Sequence, residues 1–169
     1  GFYQREAGEF VLEGDQESGS YPWMELQSNC VAAGYFNPPR LQDAYHLHEW
    51  LLHRSVFYLG ISPLDIECLD IVFGFNLDFH GNRDAIATEA LLGDSPLGML
   101  LHDTGGTSLE FEPSLVMALD ADCCLQARLA LETRSNSYQV RTGNYSPEPI
   151  SVYFTVRRYP RPGELVELE

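Results

Sequence analysis

Positive charge is what this chain has least of. Its 169 residues carry 10 basic side chains against 25 acidic ones, a net charge of −15. Phosphate backbones and anionic lipid surfaces are repelled by such a protein, so neither nucleic acid nor a membrane is an expected partner. Long apolar runs are missing too. No stretch approaches the roughly 20 residues of a membrane-crossing helix, and no leader-like segment is visible. Cys30, Cys68, Cys123 and Cys124 contain no C-x-x-C pair. Adjacent Cys123 and Cys124 suit neither a zinc knuckle nor a mutual disulfide, so no metal and no cofactor is expected. Free thiols in a reducing, cytoplasmic setting are the expected state. No internal repeat appears, no linker divides the chain, and no catalytic signature is complete.

What is present is apolar content of 44%, with 12% aromatics, enough for one globular domain over residues 1–169. Its ends, residues 1–20 and 160–169, read as loose, apart from a short strand at Phe10-Val11-Leu12. The clearest pattern runs from Cys68 to Gly81. There Leu69, Ile71, Phe73, Phe75, Leu77 and Phe79 fall on every second residue, with Asp70, Asn76, Asp78 and His80 between them. A strand with one apolar and one polar face follows.

Helices are expected at residues 21–33, 39–59, from Asn82 to Gly93, and from Ser95 to Leu101. The first rests on Pro22 near its start, Gly34 beyond its end, and Trp23, Leu26, Cys30 and Ala33 at spacings of three and four. Met24, Leu26, Ser28 and Cys30 at period two support a strand there instead. The second helix carries two stripes. Leu41, Ala44, Tyr45, His48, Leu51, Leu52, Ser55 and Leu59 lie on the first; His46, Trp50, His53 and Phe57 form another, fit for an interface. After Ser108 the period becomes two and stays so, giving strands near 109–119, 125–132 and 150–157 separated by turns.

Helices followed by adjacent strands give an α+β fold with helices packed on one face of a roughly four-stranded, mainly antiparallel sheet. The string His80-Gly81-Asn82-Arg83-Asp84-Ala85-Ile86 resembles the strand-to-helix junction of NTF2-like cone folds. The resemblance covers these few residues and no catalytic motif. It implies the alternative architecture, a curved cone-like sheet enclosing a pocket.

The candidate chemistry is sparse. His48 and His53 stand about 140° apart around a helix, so His48-Glu49-Trp50-Leu51-Leu52-His53 is no zinc-protease helix. His46 and His53 share a face but lie roughly 10 Å apart along it. Asp78 and His80 are the weak catalytic candidates, since a carboxylate beside an imidazole orients it as an acid or base. Arg134, Tyr153 and Arg157 fall where Arg and Tyr together make a recognition surface, against the plainer reading of cross-strand ion pairs. Asp120-Ala121-Asp122 lacks the further ligands and glycine of a calcium loop.

The expected function is therefore that of an acidic, soluble, non-catalytic module that self-associates or binds a protein partner. Its surface would comprise His46, Trp50, His53, Phe57, Arg134, Tyr153 and Arg157. The alternative is a small-molecule pocket protein, or a small enzyme, that uses Asp78 and His80.

Overall fold

The computed structural model describes residues 1–166 and 168. Among them are four α-helices and eight strands in two antiparallel four-stranded sheets, an α+β fold. Neither sheet closes on itself, so the alternative cone is not formed. No helix among the described residues is long and apolar enough to cross a membrane. The chain divides into two compact units, Gly1–Ile66 with Leu165–Glu169, and Glu67–Glu164.

The first unit is a meander of β1 (Phe2–Glu6), β2 (Glu9–Glu13), β3 (Tyr21–Leu26) and β4 (Val31–Phe36), paired in chain order. Gly8, at φ 85°, supplies the left-handed position of the tight turn between Glu6 and Glu9. Residues 1–20 are thus largely strand rather than loose. In the C-terminal segment Val166 and Leu168 are buried.

The helix expected at residues 21–33 is instead the β3–β4 hairpin. Helical spacing of Trp23, Leu26, Cys30 and Ala33 competes there with the period-two row of Met24 and Leu26. Pairing decides it. β3 is bonded to β2 on one side and β4 on the other, contacts that no local pattern encodes. The Trp23 indole lies across Gly34, its cross-strand partner. A Cβ at Gly34 would stand 2.5 Å from two ring carbons, so the glycine on this edge strand is a seat for the ring. Gly34→Val should displace the indole and lower stability by about 1–3 kcal/mol. A red-shifted tryptophan emission with an earlier urea midpoint would show it; an unchanged spectrum would refute the seat.

Helix α1 (Leu41–Tyr58) follows and packs along β4. It begins two residues later than expected, because Asn37 takes φ 46° and its amide donates to the Gly19 carbonyl at 3.1 Å rather than capping. Ala44, Leu51 and Ser55 are buried, which matches the first stripe, and the Ser55 hydroxyl donates to the Leu52 carbonyl at 2.7 Å.

The second unit holds β5 (Leu69–Leu77), α2 (Arg83–Leu92), α3 (Pro96–Thr104), β6 (Ser114–Ala118), β7 (Leu125–Glu132), α4 (Ser137–Thr142) and β8 (Ile150–Arg158). Its sheet order is β5-β8-β7-β6, which leaves β5 on one edge. The register aligns apolar rows across all four strands: Ile71, Val156, Ala127 and Met117, then Phe73, Phe154, Leu129 and Leu115. Helix α2 packs against α3.

Helix α2 starts as expected at Asn82, whose Oδ1 accepts from the Ala85 amide at 3.1 Å. Its first two residues are the unit's polar centre. Arg83 is fully buried. It donates to the carbonyls of Thr133 (2.7 Å), Ser146 (2.9 Å), Glu148 (3.1 Å) and Arg134 (3.3 Å). Asp84 Oδ1 accepts from the Phe111 amide at 2.7 Å and the Thr133 hydroxyl at 2.5 Å, while its Oδ2 is buried with no partner. One helix start thereby ties together the ends of β7, the approach to β6 and the approach to β8.

Candidate functional site

A concavity lies in the first unit, between α1 and one face of its sheet. Alternation in β2 sends Phe10 and Leu12 to this face and Val11, only 1% exposed, to the other. Pairing extends the apolar face into rows: Phe2 beside Leu12 beside Met24, and Phe10 beside Leu26 beside Val31. The Phe2 and Phe10 rings are parallel, with centroids 6.1 Å apart. From α1, Trp50, Leu51, Arg54, Ser55, Tyr58 and Leu59 recur at helical spacing and form the opposite wall. The cleft measures about 530 Å³.

Its chemistry is almost wholly apolar. Arg54 is the charged side chain that faces it. Glu25, the cross-strand partner of Val11, turns its side chain to the other face of the sheet, where Arg5 holds it at 3.4 Å. Arg54 makes no side-chain hydrogen bond, ion pair or ring contact among the described residues, and it stands exposed at the mouth. Ser55, the one hydroxyl in the floor, is committed to the helix backbone. Trp50 is 52% exposed and Tyr58 77% exposed, so large apolar area faces water here. Such a surface removes apolar groups from water; it holds no aligned acid, base and nucleophile.

Of the residues singled out in the sequence, Trp50 lines this cleft. His46, His53 and Phe57 are exposed on α1 and lie outside the lining. His48 is half-buried with its ring tilted 58° against Tyr45 at 6.5 Å. Asp78 and His80 are exposed in the segment after β5, and neither makes a hydrogen bond or ion pair among the described residues.

Arg134 and Arg157 sit on the polar face of the second sheet, where they are engaged with neighbours. Arg157 grips Asp70, its cross-strand partner, through Nε at 2.7 Å and Nη2 at 2.6 Å. That hydrogen bond, helped by the Tyr159 hydroxyl, raises the guanidinium pKa well above its ordinary value. Arg134 donates to Glu132 at 2.7 Å and to the Tyr153 hydroxyl at 3.3 Å, and Glu132 likewise raises its pKa. Asp120 and Asp122 face Arg161 at 3.5 and 3.6 Å. Among the described residues no three His, Cys, Asp or Glu side chains converge as a metal site.

Sequence reasoning missed Phe2, Phe10, Leu12, Met24, Leu26, Arg54 and Tyr58 as one surface. The signal available was the alternation of Phe10 with Leu12 and of Met24 with Leu26, which would have placed them on shared faces. No protein-family model matches the sequence, and no curated protein or solved structure is significantly similar to it.

Proposed function

We propose that this chain is a non-catalytic interaction module whose cleft between α1 and the first sheet receives apolar side chains of a protein partner. One observation carries the reading: an open cleft of about 530 Å³ rimmed by exposed Trp50 and Tyr58, with Arg54 as a cation that has no side-chain partner among the described residues. Trp, Tyr and Arg are the residue types that dominate binding energy at protein interfaces. The matching partner segment is amphipathic, with apolar anchors and an acidic residue for Arg54. In this reading the acidic surface keeps the module soluble in a cytoplasmic setting, and Asp78 and His80 have no chemical role.

Selection from a random peptide library displayed against the full chain tests this. The expected winners carry apolar residues at helical or alternate spacing plus an acidic residue. Trp50→Ala should weaken them at least about thirtyfold and Arg54→Glu about tenfold, with circular dichroism unchanged. Peptides that bind the Trp50 variant equally well would place the interaction elsewhere.

The volume also falls within the 300–1,000 Å³ typical of small-molecule sites, which favours a second reading, an apolar small ligand. A native mass a few hundred daltons above the chain mass, lost in Trp50→Asp, would replace the peptide partner by that ligand.

A further inference from the structure

The second unit presents a different surface, with no part in the cleft. On the apolar face of its sheet Ile71, Phe75, Leu77, Leu115, Met117 and Leu129 are each between 39% and 58% exposed. These residues come from both edge strands and from central β7, while Ala127 and Ile150 on the same face are buried. We propose that this face is closed by the same face of a second copy of the chain, making a sheet-on-sheet homodimer.

Two quantities favour a second copy. The first is area. Four strands spaced about 4.8 Å apart, of five to nine residues rising about 3.3 Å each, make a face of roughly 20 by 25 Å. Corrugated by side chains, that approaches the roughly 800 Å² per partner of a stable interface.

The second is charge. Each copy carries −15, so contact between copies is resisted nearly everywhere on the surface. The rows of Ile71, Phe73, Phe75 and Leu77 with their partners on β8, β7 and β6 contain no charged side chain; Arg158, which pairs with Leu69 at the end of the same face, is neutralised by Glu164. Asp70, Arg157, Arg128 and Glu132 all point to the opposite face. The neutral face is where two such chains can meet, and a two-fold axis through it matches apolar rows with apolar rows.

Sedimentation velocity of the full chain, from low to high micromolar concentration, tests the proposal. The expected species is twice the 19.0 kDa chain mass. Raising salt should tighten association, because screening removes repulsion while leaving apolar contact intact. Leu129 lies on a central strand, so its substitution disturbs the face and spares both edges. Leu129→Asp should weaken the dimer at least about thirtyfold. Leu129→Thr, which keeps strand propensity, should weaken it in the same direction if the charged variant fails to fold. Val72→Thr, on the opposite face of β5, should leave the dimer unchanged.

A wild-type monomer at every concentration overturns the proposal. So does a dimer that survives Leu129→Thr with native circular dichroism, which would place the contact at an edge strand or in the first unit. The Trp50→Ala peptide result is independent of both outcomes.

Discussion

Replacing Arg83 with methionine should cost the Glu67–Glu164 unit about 4 kcal/mol or more, a large share of the roughly 5–15 kcal/mol that holds a domain of this size folded. The methionine fills much of the volume and donates nothing. The carbonyls of Thr133, Arg134, Ser146 and Glu148 all lose the guanidinium. Each buried acceptor left without a donor costs about 1–3 kcal/mol, less where water enters. The nearest counter-charge, Glu148, is 3.8 Å away and half exposed, so the loss is one of hydrogen bonds more than of an ion pair.

Arg83→Lys should fall between wild type and methionine, since an ammonium has three donors and no planar fork to span the carbonyls. Urea unfolding followed by far-ultraviolet circular dichroism measures both. Tryptophan emission would miss the event, because Trp23 and Trp50 both lie in the other unit. A methionine variant within about 1 kcal/mol of wild type would show that the loops hold without this residue.

The second large effect is expected at Gly98. A Cβ there would stand 2.1 Å from the Leu92 carbonyl oxygen and 2.9 Å from that of Gly93. These are backbone atoms at the end of α2, so no rotamer relieves the clash. Alanine would gain under about 1 kcal/mol of helix propensity and lose more to the forced separation of α2 from α3. A net loss of about 2 kcal/mol, seen as a melting temperature lower by roughly 10 °C for a unit of this size, is the expected result. Gly74→Ala is the matched control. Its Cβ would meet only the Tyr153 ring at 3.4–3.5 Å, so stability should hold or rise. Equal behaviour of the two variants would mean that the α2–α3 junction yields more easily than its geometry implies.

Much of the second unit is legible in the sequence because its periods are unopposed. Leu69, Ile71, Phe73, Phe75 and Leu77 have no competing helical spacing, and β5 appears over them; the row continues to Phe79 in the sequence, but the strand ends at Leu77, leaving Asp78, Phe79 and His80 outside it. Asn82 caps α2 as its side chain and position require. Short α4 lies between strands where the sequence suggests only a turn, although Asn136 and Gly143 are its N-cap and left-handed C-cap. Six residues are too few for a period to show.

The first unit was harder, because its hairpin carries both periods at once and non-local pairing selects between them. The cleft was harder still. Phe2, Phe10, Met24 and Trp50 are scattered over fifty residues and become one surface only through register and the placement of α1. Arg83 passed unnoticed for a related reason. Its six acceptors come from segments fifty or more residues later.

The register of β5 with β8 carries a cost in time. Leu77 pairs with Ile150 and Leu69 with Arg158, so the most apolar strand must wait for the last one. At ribosomal speeds of about 5–20 residues per second, β5 emerges roughly 4–15 s before its only neighbour exists. During that interval it is an unpaired, aggregation-prone ribbon with no lysine or proline to interrupt it. Until the last strand emerges the nascent chain holds this apolar segment unpaired, and the pairing that ends its exposure closes a loop of about seventy residues, an entropically costly late step.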